Sequence, residues 1–332
     1  MKEYYFLPII ASFLTTLLLT PSWIRKAEKN KLTGKDIHKI EKNEVAEAGG
    51  VNVVSGFSLG ALLYVAMSTF ILRNASNFIE IFALLSSVLL VSFVAFTDDI
   101  LGWKIGLRRR TRLILVAFAS IPLIAINAGK DSVSIPFLGY VNLGVIYPLL
   151  IIPLGIVGAT ATFNFLAGYN GLEAGLGMIM LSSLAIVAYF TGSTWLAIIS
   201  LCMVASLFAF LLFNFYPAKI FPGDTLTYGV GSLIAIVPIL GNFEKVAVFF
   251  FIPYILETLL KLRGKLTKES FARVKDDGSL ELKENKLYSL SHVSIWLMCK
   301  LNIKPDEKKV VISIWIFQIL IILIGFILFK EG

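Results

Sequence analysis

Long blocks of apolar residues constrain this chain more than any other feature. A helix of about 20 apolar residues matches the hydrocarbon thickness of a bilayer. Such blocks recur at roughly 4–24, 51–72, 79–96, 112–127, 145–165, 172–191, 195–213, 226–241, 244–262 and 309–329. They predict an all-α polytopic membrane protein with about ten transmembrane helices. A membrane β-barrel would instead alternate apolar and polar residues in roughly ten-residue segments, a pattern missing here. The first block is long for the core of a secretory signal and has no small-residue cleavage site, so it reads as the first span. Cys202 and Cys299 suggest neither a disulfide framework nor a metal site. Residues 1–332 read as one integral membrane domain.

Charge orients the spans. Cytoplasmic loops carry an excess of Lys and Arg, and 25 of the 30 such residues fall in alternate connections. These are the loops near 25–50, 97–111, 166–171, 214–225 and 263–308, with the intervening helix ends. Strict alternation through ten spans places those loops inside and both termini outside. The net charge of +8 then belongs to the inner face. Anionic lipid headgroups account for such a charge, and a polyanionic substrate would use it too; no nucleic acid is expected as a partner. On the outer side, Ser132 to Ile135 and Tyr140 to Leu143 alternate around Pro136 and Gly139, which predicts a small surface β-hairpin. Asn74-Ala75-Ser76 forms a glycosylation sequon on another outer loop.

The acids that matter lie along the inner rim. "FTDDILGW" puts Asp98 and Asp99 at the end of the third span, and "NFYPAKIFPGDTLTYG" puts Asp224 just before the eighth. "NFLAGYNGLEAG" holds Asn164, Asn170, Gly171 and Glu173 between the fifth and sixth. Each has an ordinary reading. Asp98 and Asp99 could be a solvated helix end, Asp224 an N-cap, Asn170-Gly171 a turn, and Glu173 a first-turn acid favoured by the helix dipole. Their convergence on one face supports another reading. Carboxylate and amide oxygens suit Mg²⁺, whose remaining positions go to water and substrate phosphates, and basic loops suit phosphate oxygens. That is the equipment of phosphoryl transfer, in which positioning and charge neutralisation do most of the work. Asp98 and Asp99 point about 100° apart on a helix, so they should have different tasks.

These segments resemble the polyprenyl-phosphate N-acetylhexosamine-1-phosphate transferases, over most of the chain. "FTDDILGW" resembles the family's aspartate pair, and "NFLAGYNGLEAG" its Asn–Gly loop in the form of the UDP-GlcNAc:dolichyl-phosphate branch. "NFYPAKIFPGDTLTYGVGS" resembles the metal-aspartate segment, and "GKDIHKIEKNEVAEAGGV" the first inner loop, with Ala46-Glu47 where the family has Pro-Glu. The resemblance implies transfer of N-acetylglucosamine-1-phosphate from UDP-GlcNAc to a polyprenyl or dolichyl phosphate in the bilayer, releasing UMP. It implies Mg²⁺, or Mn²⁺ in its place, on Asn164 and Asp224. It puts Asp98 and Asp99 at the lipid phosphate and Arg108 at the phosphates. Asn170 and Phe221 would hold uracil, with Lys39, Glu47, Gly171 and Glu173 as further substrate-binding residues. The bacterial branch carries a histidine-rich motif in the last inner loop, whereas His38 and His292 are the only histidines here. Arg263, Lys265, Arg273 and His292 are therefore the binding candidates of that loop. The enzyme would lie in the cell membrane of a prokaryote with its site facing the cytoplasm, and a homodimer is compatible with this reading. Alternatives are another UDP-N-acetylhexosamine donor, or a secondary transporter. A transporter would show internal repeats and broken polar helices at mid-membrane, and neither is evident.

Overall fold

A computed structural model describes residues 5–41, 43–73, 76–130, 132–135 and 139–329, without the side chains at 103–104, 132–135 and 139–141. The sequon asparagine, Asn74, lies outside the described residues. The long helices are apolar around their whole circumference, as helices in lipid or in a protein interior are. Leu18 and Ile327, for example, are 73% and 75% exposed on helices with almost no polar face. Among the described residues, eight helices are long and apolar enough to cross a membrane.

Along the chain, α1 (Phe6–Lys29) leads into β1 (Thr33–Lys35) and β2 (Glu44–Ala46), an antiparallel pair. Next come α2 (Gly50–Phe70) and α3 (Phe78–Ile105), which breaks at Gly102. The predicted span 112–127 is two short helices, α4 (Arg109–Phe118) and α5 (Ile121–Ala125). Pro122 stands in the first turn of α5, where its missing N–H is tolerated but cannot bond backward to α4. The predicted hairpin is present as β3 (Ser132–Ile135) and β4 (Gly139–Asn142), with Ser132 opposite Asn142. A turn of π-helix at Tyr147–Ile151 enters α6 (Ile152–Phe165). Then follow α7 (Leu172–Phe190), α8 (Thr194–Asn214) and α9 (Gly223–Gly241). The predicted span 244–262 is also divided, into α10 (Glu244–Phe250) and α11 (Ile252–Arg263), with Pro253 at the break. A two-residue pair, β5 (Arg273–Val274) and β6 (Leu280–Glu281), precedes α12 (Leu290–Lys300) and α13 (Glu307–Leu328).

Helix α9 lies at the centre, packed against α2, α3, α6 and α7. Of its most apolar window 78% is buried, against 22% for α1. Its approach to α6 depends on Gly231, where a Cβ would stand 2.8 Å from the Cα of Thr160. Two helix boundaries differ from the sequence reading, and both bear on function. Helix α3 continues through Asp98 and Asp99 to Gly102, and α9 begins at Gly223, so that Asp224 lies inside its first turn.

Candidate active site

The N-terminal end of α9 carries the site, and its geometry starts at Gly223. That residue has φ 68°, a conformation that glycine adopts without strain. A Cβ there would lie 2.8 Å from the carboxyl carbon of Asp99. The open space lets Asp99 reach across from α3 and cap the helix. Its Oδ1 accepts from the backbone N–H of Asp224 (2.7 Å), and its Oδ2 accepts from the N–H (2.9 Å) and hydroxyl (2.5 Å) of Thr225. The capping task that the sequence offers to Asp224 is therefore performed by a residue 125 positions earlier.

Freed from capping, Asp224 faces two other groups. Its Oδ1 accepts from Asn164 Nδ2 at 2.7 Å, and its Oδ2 pairs with Arg112 Nη1. The same Nη1 donates to Asp98 Oδ2 at 2.7 Å, while Asp98 Oδ1 accepts from the backbone N–H of Leu107 at 2.5 Å. Two carboxylates from α3 and α9 thus converge on one cationic nitrogen. The guanidinium also lies over the Tyr228 ring, 5.0 Å from its centroid. Asn164 donates a second bond to Thr227 Oγ1 at 2.8 Å, which leaves its amide oxygen as the remaining acceptor. Among the described residues no three His, Cys, Asp or Glu side chains form a metal-ligand group. The Asp98 and Asp224 carboxylates are arranged around one positive charge, and the Asn164 side chain bonded to Asp224 keeps an oxygen as acceptor. Such hard oxygen donors fit a magnesium ion that keeps water or phosphate in its other positions.

A cavity of about 820 Å³ opens beside this cluster. The connection between α1 and α2 forms one wall. Phe221 N–H donates to Ala46 O (2.7 Å), and Gly49 N–H donates to Phe221 O (2.9 Å), so the loop runs along the α8–α9 connection. Glu47 and Phe221 both line the cavity from there. Glu47 is half-buried, and burial raises its carboxyl above the usual carboxylate range. The glycine loop forms another wall. Gly171 turns into α7 with φ 84°, and Asn170 and Glu173 line the cavity. Glu173 is buried; its Oε1 accepts from Gly168 N–H at 2.6 Å, and its Oε2 has no hydrogen-bond partner among the described residues.

The structure does not gather every residue singled out from the sequence. Arg108 is exposed at the start of α4 and outside the cavity lining, while Arg109, Arg110 and Arg112 belong to it. Lys39 pairs with Asp36 and lies over the Tyr216 ring at 4.4 Å, beside the cavity and not in its lining. Arg263, Lys265 and Arg273 are exposed and also outside it; Lys261 of α11 and Lys268 of the loop after it are cations of the lining. His292 is buried behind that loop, where its Nδ1 accepts from Tyr288 N–H at 3.3 Å. Burial, aided by the Lys261 charge, holds its pKa below the ordinary histidine value.

Sequence reasoning gave no role to Arg112, Asp36 or His38. Arg112 is one of four closely spaced arginines, and only the start of α4 at Arg109 shows which of them turns toward Asp98. His38 stacks on Tyr169 with ring centroids 4.2 Å apart. Burial lowers its pKa to about 4, partly opposed by Asp36, so the imidazole is neutral at physiological pH.

Comparison with known proteins places the chain in a family. The model of the family described as "Glycosyl transferase family 4" matches residues 81–242, the stretch that contains both aspartate segments and the glycine loop. A protein of Saccharolobus solfataricus with the provisional name UDP-N-acetylglucosamine–dolichyl-phosphate N-acetylglucosaminephosphotransferase is 38% identical, over 97% of this chain and 96% of its own. The Dictyostelium discoideum protein of that name, without the qualifier, is 31% identical over 74% of this chain and 68% of its own. A phospho-N-acetylmuramoyl-pentapeptide-transferase of Clostridium beijerinckii is 30% identical over 78% and 83%. Asp224 and the glycine loop line the cavity and the aspartate pair stands behind Asp224, outside the lining; by its relatives, this chain belongs to the UDP-N-acetylglucosamine–dolichyl-phosphate N-acetylglucosaminephosphotransferase family of glycosyl transferases.

Proposed function

We propose that the protein transfers N-acetylglucosamine-1-phosphate from UDP-N-acetylglucosamine to a dolichyl-type polyprenyl phosphate. The observation that carries this reading is the convergence of Asp98 and Asp224 on Arg112 Nη1 at the head of α9, joined to the names of the full-length relatives. An oxygen of the lipid phosphate attacks the sugar-bearing phosphorus of the donor. The bond from that phosphorus to the bridging oxygen breaks, UMP leaves with the electron pair, and a lipid-linked pyrophosphoryl sugar remains. A phosphate monoester is largely dianionic at neutral pH, its second pKa being about 6. The nucleophile therefore needs no proton removed by Asp98 or Asp99. Their tasks are positional: Asp99 sets the head of α9, and Asp98 sets Arg112.

Asp224 and the amide oxygen of Asn164 would hold Mg²⁺, which neutralises charge on the donor diphosphate. Arg109, Arg110, Lys261 and Lys268 add positive charge around the cavity. Phe221 offers a flat apolar face to the nucleobase, and Glu47 and Glu173 offer acceptors to hydroxyl groups. We further infer that the divided helices α4–α5 and α10–α11 complete ten spans with both termini outside. The concentration of Lys and Arg on the connections around the cavity supports that orientation. The lipid phosphate then meets a cytoplasmic nucleotide sugar at the inner rim. Incubating the purified protein with radiolabelled UDP-N-acetylglucosamine, dolichyl phosphate and Mg²⁺ tests the reading. Label extracted into the lipid phase with stoichiometric UMP is expected; label that stays aqueous refutes it.

A further inference from the structure

Asn170 is held more tightly than a turn residue requires. Its backbone N–H donates to Glu307 Oε1 at 2.8 Å, from the first turn of α13. Its side-chain Nδ2 donates to Asp36 Oδ2 at 2.9 Å, from the first inner loop. Asp36, Asn170 and Glu307 are all at least 95% buried. Next to Asn170, Tyr169 stacks on His38, and its hydroxyl donates to Ser270 O at 3.2 Å. Segments of the first, third and last inner loops therefore fix this one asparagine.

The direction of the Asp36 contact has a chemical consequence. Asp36 Oδ1 accepts from the backbone N–H of His38 (3.3 Å), and Asp36 Oδ2 also takes the ammonium of Lys39. Both partners can only donate, so both carboxylate oxygens serve as acceptors. A reversed Asn170 amide would set oxygen against oxygen. The amide nitrogen therefore faces Asp36, and Oδ1 is left as an acceptor on a residue that lines the cavity.

We propose that Asp36 is a specificity-determining residue for the nucleobase, acting through Asn170. This rests on the reading of the cavity as the site of a uridine nucleotide. An amide locked with its oxygen toward the ligand accepts from the N3–H of uracil. Cytosine presents an unprotonated N3, an acceptor, and would meet that oxygen with repulsion. Asp36 also lines the cavity, but its oxygens are engaged by His38, Lys39 and Asn170; it acts by setting which half of the Asn170 amide the base meets. Glu307 holds the backbone of Asn170, so that the amide cannot swing away from the choice Asp36 makes.

The test is the ratio of UMP to CMP affinity, measured by titration calorimetry on the detergent-purified full chain. The wild type is expected to prefer UMP. Asp36→Asn can donate to Asn170 as well as accept from it, so the amide is free to reverse. Asp36→Ala removes the constraint altogether. Both variants are expected to lose the UMP preference by about tenfold, the scale of one mismatched hydrogen bond. The ratio does not depend on the folded fraction of the sample. Unchanged ratios in both variants, or proportional loss of both nucleotides, would overturn the proposal. A wild type without any preference for UMP would instead overturn the donor-site reading on which it rests.

Discussion

Asp99 and Asp224 divide between them what either could have done alone: Asp99 caps α9 from the neighbouring helix, and the carboxylate of Asp224 is left to face Asn164 and Arg112. The two kinds of substitution should therefore fail differently. Asp99→Ala removes three acceptor contacts from a helix start and is expected to destabilise the protein by about 2 kcal/mol, the upper range for a lost cap. A lowered thermal midpoint in detergent measures this. Asp99→Asn keeps one acceptor oxygen and should fall between wild type and Asp99→Ala. A wild-type midpoint for Asp99→Ala would contradict the capping role.

Arg112 offsets the charge of two carboxylates that otherwise face each other. Arg112→Gln leaves Asp98 and Asp224 without their cation, which lowers stability at low divalent concentration. Added Mg²⁺ should then raise the melting temperature of Arg112→Gln more than that of wild type. Turnover at saturating Mg²⁺ should fall on the order of 10²-fold, equivalent to about 3 kcal/mol. Arg112→Lys keeps the charge and should retain part of the rate. Equal Mg²⁺-dependent melting shifts in wild type and Arg112→Gln would argue against this arrangement.

His38 gives a pH dependence with a definite sign. Its pKa is about 4 in the folded protein because burial disfavours the cation, against about 6.5 in an unfolded chain. Between those values the unfolded state binds the extra proton. Stability attributable to His38 is therefore complete above pH 6.5 and declines as pH falls toward 4, by up to roughly 3 kcal/mol. His38→Gln removes that term. Melting curves from pH 7 to pH 4.5 should show a smaller fall for His38→Gln than for wild type; parallel curves would contradict it.

Topology is open to cysteine labelling. In a Cys299→Ser background, with Cys202 buried, a cysteine at Ser76 should react with an impermeant maleimide added to intact cells. One at the exposed Lys286 should react only after permeabilisation. The reverse pattern would place the cavity on the wrong side for a cytoplasmic nucleotide sugar.

Much of this arrangement can be read from the residues, and the rest fails for physical reasons. Apolar blocks report spans because lipid imposes length and composition, which is why α1, α2 and α13 are evident. Pro122 and Pro253 divide two further blocks, and a hydropathy pattern does not register that division. The rim acids stand out because charge is costly in an apolar chain. Their partners do not stand out. That Asp99, and not Asp224, caps α9 depends on the crossing of α3 past Gly223. Arg112 is hidden among neighbouring arginines until the start of α4 is known. The anchoring of Asn170 by Asp36 and Glu307 joins positions 134 and 137 residues apart, beyond any local pattern.

The most direct test of the central claim is Asp224→Asn. The substitution keeps the shape of the side chain, Asp99 still caps α9 and Asp98 still pairs with Arg112, so a merely structural Asp224 would tolerate it. The variant should melt near the wild-type temperature without divalent ions, bind Mn²⁺ more weakly by electron paramagnetic resonance titration, and transfer N-acetylglucosamine-1-phosphate ~10²–10³-fold more slowly, equivalent to ~3–4 kcal/mol. Wild-type turnover at limiting Mg²⁺, with unchanged Mn²⁺ affinity, would contradict the account and leave Asp224 as no more than a residue of the first turn of α9.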